Sequence, residues 1–300
     1  MIRRRILIDT DIGDDIDDAF AIALAASLPE LELVGVTTVF RNTAQRAQLA
    51  HRLLSSLGRE DIPVRAGERL PEREPIHVFE RDPAGAPEDA DLCQWEPAYA
   101  QLPAEDGAVD FLIRMAEEYG ESLTLVPIGA MTNLARAIER NPEAMKRVGA
   151  IVTMGGMFSA EDPEWNILCD PEAAHTVYSS GIPLYAVGLD VTLQCALEPG
   201  LLEQFRASAR PVNRLLTQWL DRWFAYMRFE KSVMHDPLTV ATLVSDVCRF
   251  ETRYVRVRLN EKRGAIETRC QPAEGFAPIK AAVQVDRERF YALIRSQLLD

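Results

Sequence analysis

Short runs of β-branched and aliphatic residues alternate with longer segments in which apolar residues recur every three or four positions, through the first two-thirds of the chain. This alternation is the pattern of a parallel sheet covered by helices on both faces. Two of the helical segments have clear ends, because Pro29 and Gly58 follow them. The predicted strands cover residues 6–9, 33–39, 63–66, 123–128, 150–154 and 184–189. The predicted helices cover residues 16–28, 49–57, 107–119, 133–139, 171–180 and 211–229.

The C-terminal part of the chain has a different pattern. Residues 253–259 and 265–269 indicate a hairpin, and a final helix is predicted from about Asp286. The chain has 300 residues, 47% of them hydrophobic, which is enough for one large core, although two smaller domains are not excluded. We therefore expect a single α/β domain over 1–300. It would be an open, mostly parallel, Rossmann-like sheet with helices on both faces, plus a small C-terminal hairpin and helices.

Residues 70–103 interrupt this pattern. The segment is rich in Pro, Glu, Asp and Ala and shows little periodicity. Loops of this length without regular structure are uncommon, and they are usually functional lids or disordered segments. We predict a long irregular surface excursion within the domain.

Composition limits the partners and the compartment. The formal net charge of -13 gives no basic field for a phosphate backbone, so nucleic acid is not expected as a partner. Five widely spaced cysteines without a CxxC pair argue against a disulfide framework and against a structural zinc site. No apolar run approaches the ~20 residues that span a bilayer, and the run at 6–8 is too short for a signal peptide. We expect a cytoplasmic protein with no membrane contact.

Six aspartates fall together, directly after the first predicted strand and across the start of the first predicted helix. They are Asp9, Asp11, Asp14, Asp15, Asp17 and Asp18. In an open parallel sheet this position is the carboxyl edge, where ligands bind. Carboxylates this crowded repel one another, and a bound cation would offset the repulsion. Asp14 or Asp15 could instead cap the helix. Because the candidate ligands are all oxygen atoms, with no Cys or His nearby, the cluster predicts Ca²⁺ or Mg²⁺.

The segment DTDIGDDIDDAFAIALA resembles the N-terminal signature of nucleoside hydrolases, DxDPGxDDAxAI. An isoleucine replaces the usual proline, and the segment is two residues longer before its final pair of aspartates. The resemblance implies that Asp11 and Asp18 are metal ligands and that Asp17 contacts the ribose of a nucleoside. Asp14 and Asp15 would be additions, and either could replace one of these ligands.

Three later segments of the chain resemble sequence motifs of the same family. TTVFRN is similar to the segment whose asparagine contacts the ribose, so Asn42 would bind the sugar, and an N-cap role is an equal alternative. GAMTNLARAI resembles the turn whose carbonyl helps to coordinate calcium. Thr132 would supply that carbonyl, and helix capping is again an alternative. MGGMFSAEDPEWNILCDPEAA resembles the family's MGG...EFN...DPEAA segment, and by this match Glu164 and Asn166 would bind the ribose hydroxyls.

The last matching element is His235, Asp236 and Pro237, which resembles the family's HDP motif at the start of a helix. The match makes Asp236 a third metal carboxylate and places His235 beside the departing base. One segment departs from the family. Many members carry an HGxDGxG-like stretch after the third strand, where this chain reads REPIHVFERDPAGAPEDADL. The place of His77 and the preference for a base therefore stay open.

The resemblance implies hydrolysis of the N-glycosidic bond of ribonucleosides to free base and ribose, with Ca²⁺ as the cofactor and a role in purine or pyrimidine salvage. Asp11 would also act as general base toward a calcium-held water, and His235 as general acid toward the base. The family resemblance further implies a homodimer or homotetramer.

Two other functions compete with this interpretation. DTD after a hydrophobic strand also resembles the DxD loop of haloacid dehalogenase-type phosphohydrolases, with Mg²⁺ and Asp9 as nucleophile. That interpretation leaves the EWN and HDP segments unexplained. The second alternative is a non-catalytic, calcium-dependent binder of nucleosides or sugars, although Asp11 and His235 would supply a base and an acid.

Overall fold

The computed structural model describes residues 3–73 and 91–300. Its strands are Arg4–Thr10 (β1), Leu31–Thr38 (β2), Val64–Ala66 (β3), Leu123–Pro127 (β4), Ala150–Met154 (β5), Leu184–Val187 (β6), Cys248–Val257 (β7), Ile266–Arg269 (β8) and Ala277–Val285 (β9). Within the described residues they form one nine-stranded sheet in the order β3-β2-β1-β4-β5-β6-β9-β7-β8. Strands β1 to β6 and β9 pair in parallel, whereas β7 pairs antiparallel with both β8 and β9.

Helices connect the strands and cover the sheet. They are Asp17–Ser27 (α1), Thr43–Ser56 (α2), Ala108–Tyr119 (α3), Thr132–Arg140 (α4), Pro142–Met145 (α5), Trp165–Cys169 (α6), Pro171–Tyr178 (α7), Leu189–Thr192 (α8), Pro199–Ala207 (α9), Pro211–Met227 (α10), His235–Ala241 (α11) and Arg287–Leu298 (α12). The predicted α/β class, with its mostly parallel sheet and C-terminal hairpin, is confirmed.

Most predicted elements are present, and the differences have local causes. The strand predicted over 184–189 ends at Val187, because the chain turns at Gly188 into the short α8. The helix predicted from residue 49 begins six positions earlier, at Thr43, where Asn42 caps it. Strand β9 was not predicted, and it lies between β6 and β7, so it depends on pairing with strands from distant parts of the chain.

Two hydrophobic clusters lie on opposite faces of the sheet. Successive residues of β1 contribute to different clusters, Ile6 and Ile8 to one and Leu7 to the other, as expected for a strand buried on both faces. The first cluster includes residues of α1, α2, α10, α11 and α12, and its largest fully buried side chain is Trp219. The second includes residues of α3, α4 and α7.

The predicted excursion at 70–103 falls partly outside the described residues, which omit 74–90. Its described end, 91–103, packs on the first cluster. Tyr99 is buried with its ring 6.3 Å from that of Trp219, and Trp95 donates a 2.8 Å hydrogen bond to Gln48 of α2. The surface excursion and the single domain over 1–300 stay predictions.

A buried asparagine joins the carboxyl ends of the central strands. The side-chain amide of Asn133 donates to Asp9 Oδ1 at 2.7 Å and to the Thr38 carbonyl at 3.0 Å, and it accepts from the Glu68 N–H at 2.8 Å. A Cβ atom at Gly67 would lie 2.3 Å from the Asn133 side chain, so only glycine allows this close approach. Asn133 therefore fixes β1 and β2 relative to α4.

Replacing Asn133 with Ala should destabilise the protein strongly, because several buried polar groups lose their partners. We expect the free energy of unfolding to fall by about 2–4 kcal/mol. Asn141→Ala, which removes the N-cap of α5 and an exposed hydrogen bond to Glu117, should cost about 1 kcal/mol. Urea unfolding of the two variants measures both values, and equal losses would contradict the role of Asn133.

Candidate active site

Three carboxylates from two distant segments meet at the carboxyl edge of the sheet. Asp17 and Asp18 lie in the first turn of α1, and Asp236 lies in the first turn of α11, which packs against α1. Each offers a carboxylate oxygen, and these oxygens lie within 4.8 Å of one another. The Asp236 N–H donates to Asp17 Oδ2 at 3.2 Å, across 219 positions of sequence. The Thr10 hydroxyl donates to Asp18 Oδ1.

The cluster is buried, and its three carboxylates are only partly offset by the nearby guanidinium of Arg46. Asp17, Asp18 and Asp236 are each at most 4% exposed. Burial raises the pKa of all three, and repulsion from neighbouring aspartates raises the pKa of Asp18 and Asp236 further. Ionised carboxylates at this depth require a partner of opposite charge. Because the available ligands are oxygen atoms, the donor set fits a hard divalent cation such as calcium.

Asp11 lies beside this cluster but is not among the three whose oxygens meet within 4.8 Å. Burial, followed by repulsion from Asp14, raises the pKa of Asp11 to about 8. A Cβ atom at Gly129 would lie 2.7 Å from Asp11 Oδ1, so the carboxylate rests directly on the turn between β4 and α4. This contact places Asp11 next to the segment that leads to Thr132.

Asp14 and Asp15 do not cap α1, so the capping alternative for them is wrong. The N-cap residue is Ile16, and no side chain caps this helix. Asp14 forms an ion pair with the buried Arg46, with 2.9 Å between Asp14 Oδ1 and Arg46 Nη2. Asp15 accepts from the N–H of Ile16 through its side chain, and its carbonyl accepts from the Gln94 amide at 2.6 Å. The two additional aspartates are therefore tied to other parts of the protein.

Asn42 and Thr132 lie at helix starts that follow β2 and β4, the two strands on either side of β1. Asn42 is the N-cap of α2, and its side-chain oxygen accepts from the Gln45 N–H at 3.2 Å. The capping alternative for Asn42 is thus confirmed, and a sugar contact would use its amide nitrogen. Thr132 is the first residue of α4 and does not cap it. Its hydroxyl donates to Asp170 Oδ2 at 2.7 Å, which fixes the backbone at Thr132.

Glu164 and Asn166 lie at the start of α6, and both are nearly fully buried. The two oxygens of Glu164 accept three backbone N–H groups, from Asn166, Ile167 and Gly156, at 2.9–3.2 Å. The Asn166 amide nitrogen donates to the Ile128 carbonyl at 3.0 Å. These bonds hold both side chains in single orientations, and burial raises the pKa of Glu164.

His235 is the first residue of α11 and precedes Asp236. Its Nδ1 lies 2.7 Å from Thr192 Oγ1, at the end of α8. Burial lowers the pKa of His235, and the neighbouring Asp17 opposes this effect. The contact with Thr192 leaves Nε2 as the nitrogen that would exchange a proton with a ligand.

Sequence reasoning missed four polar residues that support this site: Arg46, Asn133, Asp170 and Thr192. One of them had a detectable signal. Arg46 lies on the same face of α2 as Leu49, Ala50 and Leu53, all of which are buried. A charged residue within an apolar helical stripe indicates a buried partner. For the other three, the contacts join segments that nothing in the local pattern connects.

The described residues place the predicted site residues at one edge of the sheet, with one exception. His77 lies in the segment 74–90, outside the described part of the chain. In the described ranges, no helix is long and apolar enough to cross a membrane.

A buried carboxylate site at the carboxyl edge of an α/β sheet is an architecture shared with known hydrolases. A sequence model of the inosine-uridine preferring nucleoside hydrolase family matches residues 6–292. A pyrimidine-specific ribonucleoside hydrolase of Klebsiella pneumoniae is 33% identical, over 98% of this chain and 97% of that protein. Among solved structures, a plant nucleoside hydrolase is 30% identical, with a TM-score of 0.84 and 99% of both chains covered. A purine-preferring ribonucleoside hydrolase from Gardnerella vaginalis is 28% identical, with a TM-score of 0.82 and 98% and 97% covered.

The chain therefore belongs to the inosine-uridine preferring nucleoside hydrolase family. It is a ribonucleoside hydrolase, an enzyme that cleaves the N-glycosidic bond of nucleosides. The two competing interpretations are wrong. Asp9, the nucleophile that a phosphohydrolase would need, is fully buried and accepts hydrogen bonds from Thr37 and Asn133. The matches to ribonucleoside hydrolases over nearly the whole chain indicate an enzyme rather than a binder without catalysis.

A divalent cation held by Asp18 and Asp236 should stabilise the protein, and calcium is the ion used to test this. A ligand that binds only the folded state adds about 2.7 kcal/mol at a hundredfold excess over its Kd. We expect a higher Tm in calcium than in chelator, and loss of this difference in Asp18→Asn and Asp236→Asn. In chelator, these variants should be at least as stable as the wild type, because each removes repulsion between buried carboxylates.

Differential scanning calorimetry measures these shifts. The control is Asp221→Asn, since Asp221 lies on α10 with its side chain 58% exposed, and it should keep the calcium response in full. A response that persists in both site variants would show that the ion binds elsewhere.

Proposed function

We propose that the protein hydrolyses ribonucleosides in a calcium-dependent reaction. The observation that carries this proposal is the convergence of Asp17, Asp18 and Asp236, whose buried carboxylate oxygens meet within 4.8 Å. Such a cluster is unfavourable without a cation and supplies the oxygen ligands that calcium prefers. The proposal includes a cytoplasmic location. It also includes assembly into a homodimer or homotetramer, and light scattering of the purified protein would test this assembly.

In this proposal, calcium is held by the carboxylates of Asp11, Asp18 and Asp236 and by the backbone carbonyl of Thr132. Two features support this set. Asp11 and Asp18 follow β1, Thr132 follows the adjacent β4, and Asp236 lies on α11, which packs against α1. In addition, Asp170 fixes the backbone at Thr132. When bound, calcium would orient a water molecule and lower its pKa.

Asp11 is the proposed general base. Its carboxylate is nearly fully buried beside the cluster, so it would adjoin both the cation and the water that the cation holds. An ionised carboxylate at that place is suited to accept a proton from the attacking water. The close contact of Asp11 with Gly129 keeps the carboxylate in place.

The proposed ribose ligands are Asp17, Asn42, Glu164 and Asn166. A carboxylate oxygen of Asp17 lies within 4.8 Å of oxygens of Asp18 and Asp236, so a hydroxyl that contacts Asp17 would also lie beside the cation. Asn166 donates its amide hydrogens to backbone carbonyls, which leaves its Oδ1 to accept from a hydroxyl. Side chains held by so many hydrogen bonds lose little entropy on binding and can align the sugar for attack.

His235 is the proposed general acid for the departing base. The Thr192 contact occupies Nδ1, so the proton would pass from Nε2. The similar proteins differ in the base that they prefer, since one is described as pyrimidine-specific and another as purine-preferring. The proposal therefore specifies the ribosyl half of the substrate and leaves the base to experiment.

The deciding experiment incubates the purified protein with uridine, cytidine, inosine, guanosine and a phosphate monoester. Free ribose and free phosphate are measured in calcium and then in chelator. We expect ribose from at least one nucleoside, no phosphate, and loss of activity in chelator that added calcium restores. Full activity after exhaustive chelation would refute the calcium dependence.

Asn166→Ala should impair hydrolysis of ribosides because a preorganised contact to a hydroxyl is lost. We expect a loss of about 2–4 kcal/mol in transition-state stabilisation, measured as a fall in kcat/KM. The matched control is Asn141→Ala, since Asn141 caps the distant helix α5 and its loss should leave kcat/KM unchanged. Wild-type kinetics in Asn166→Ala would remove this residue from the sugar site.

His235→Ala should discriminate between substrates by their leaving groups. If His235 protonates the base, the variant should slow inosine much more than p-nitrophenyl riboside, whose phenolate leaves without a proton. The measurement is the ratio of the two losses in kcat/KM at saturating calcium. Equal losses on both substrates would show that the histidine acts only through the structure of the site.

A further inference from the structure

A fully buried arginine of α2 contacts both loops that adjoin the carboxylate cluster. Arg46 Nη1 donates to the carbonyls of Asp11 and, at 3.0 Å, Ile12, in the loop between β1 and α1. Arg46 Nε donates at 2.7 Å to the carbonyl of Phe40, in the loop between β2 and α2. Its Nη2 forms the ion pair with Asp14 at 2.9 Å. One guanidinium thus joins the two loops.

The loop between β1 and α1 needs such a donor. Its carbonyls at Asp11 and Ile12 are buried, and buried carbonyls without partners are unfavourable. Gly13 adopts φ 108, and a Cβ there would lie 2.7 Å from the Leu92 side chain, so the loop is closely packed. The fork of N–H groups on an arginine can satisfy several carbonyls from one position, which a lysine cannot do.

The same guanidinium carries the positive charge that pairs with an aspartate of this loop. This aspartate is Asp14, whose Oδ2 is buried with no hydrogen-bond partner among residues 3–73 and 91–300. If the resemblance to the family signature is aligned as above, Asp14 is one of the two additional residues of this chain. The additional length would then supply the carboxylate that pairs with the buried guanidinium.

The second loop is held in an uncommon conformation. Phe40 and Arg41 have positive φ values of 70 and 59, which non-glycine residues rarely adopt in succession. Asn42 follows them directly and caps α2. Arg46 stabilises this conformation twice, since Nε binds the Phe40 carbonyl and its backbone N–H donates to the Asn42 carbonyl at 3.1 Å.

We infer that Arg46 is a positioning residue that orders the loop between β1 and α1 for cation binding and couples it to the loop that carries Asn42. This inference rests on the proposed function for the identity of the cation and of the sugar contact. Arg46 touches neither the cation nor the substrate. It acts through Asp11, whose carbonyl it holds, and through the ion pair with Asp14.

Arg46→Lys and Arg46→Met test this role by calorimetric titration of the metal-free protein with calcium. Loss of a residue that orients metal ligands typically weakens metal affinity by about 10- to 100-fold, and we expect that range for both variants. Lysine keeps the positive charge but lacks the several N–H groups of the guanidinium, so Arg46→Lys should bind calcium better than Arg46→Met but more weakly than the wild type. The matched control is Arg52→Met on the same helix, half-exposed, which should bind calcium as the wild type does.

A second measurement separates positioning from general damage to the fold. At saturating calcium, which would itself hold Asp11 in place, Arg46→Lys should raise KM for a nucleoside more than it lowers kcat, because the loop that carries Asn42 is still displaced. Arg46→Lys combined with Asp14→Asn should raise the calcium Kd by less than the product of the two single effects, since the pair acts through one contact.

The inference is overturned if Arg46→Lys unfolds cooperatively and binds calcium with wild-type affinity. It is also overturned if the effects of Arg46→Lys and Asp14→Asn on the calcium Kd multiply in the double variant. If Arg46→Met does not fold, Arg46→Lys and Asp14→Asn still give the result. The calorimetry does not depend on turnover. A wild-type protein that binds calcium but releases no ribose would refute the proposed function and leave this test intact.

Discussion

The burial of several carboxylates at one point is the main constraint on this structure, because it is unfavourable in free energy. Asp17, Asp18 and Asp236 are nearly fully buried, and their oxygens lie close together. Buried carboxylates this close together are stable only when they are protonated or paired with a positive charge, and when the surrounding backbone is firmly held. The packing of α1 against α11 supplies that support, because it brings the first turns of both helices to the same place.

The support for this site comes from polar side chains that bind backbone groups. Glu164 accepts three N–H groups, Asn133 joins two strand ends, and Arg46 holds the carbonyls of two loops. Loops at a sheet edge expose backbone groups that a helix or strand would satisfy internally. These side chains satisfy them, so the loops can be irregular in shape and still be ordered.

Several residues combine a structural and a proposed catalytic task. Asn42 caps α2 and Glu164 caps α6, and both are proposed to contact ribose. A cap fixes the side-chain oxygen against the helix start, which also fixes the direction of the remaining polar atoms. The two tasks are compatible, and a site built this way is ordered before the substrate arrives.

The sequence by itself determined the alternation of strands and helices and the identity of the motifs. The strand at 150–154 has the predicted bounds, and the aspartates of the first loop lie at the predicted sheet edge. Tertiary structure decided the place of β9, the ion pair of Asp14 with Arg46, and the entry of Asp17 into the carboxylate cluster. The physical reason is that periodicity records which side of an element is buried, whereas these three features join segments far apart in the chain. Their geometry arises only when the helices and strands pack.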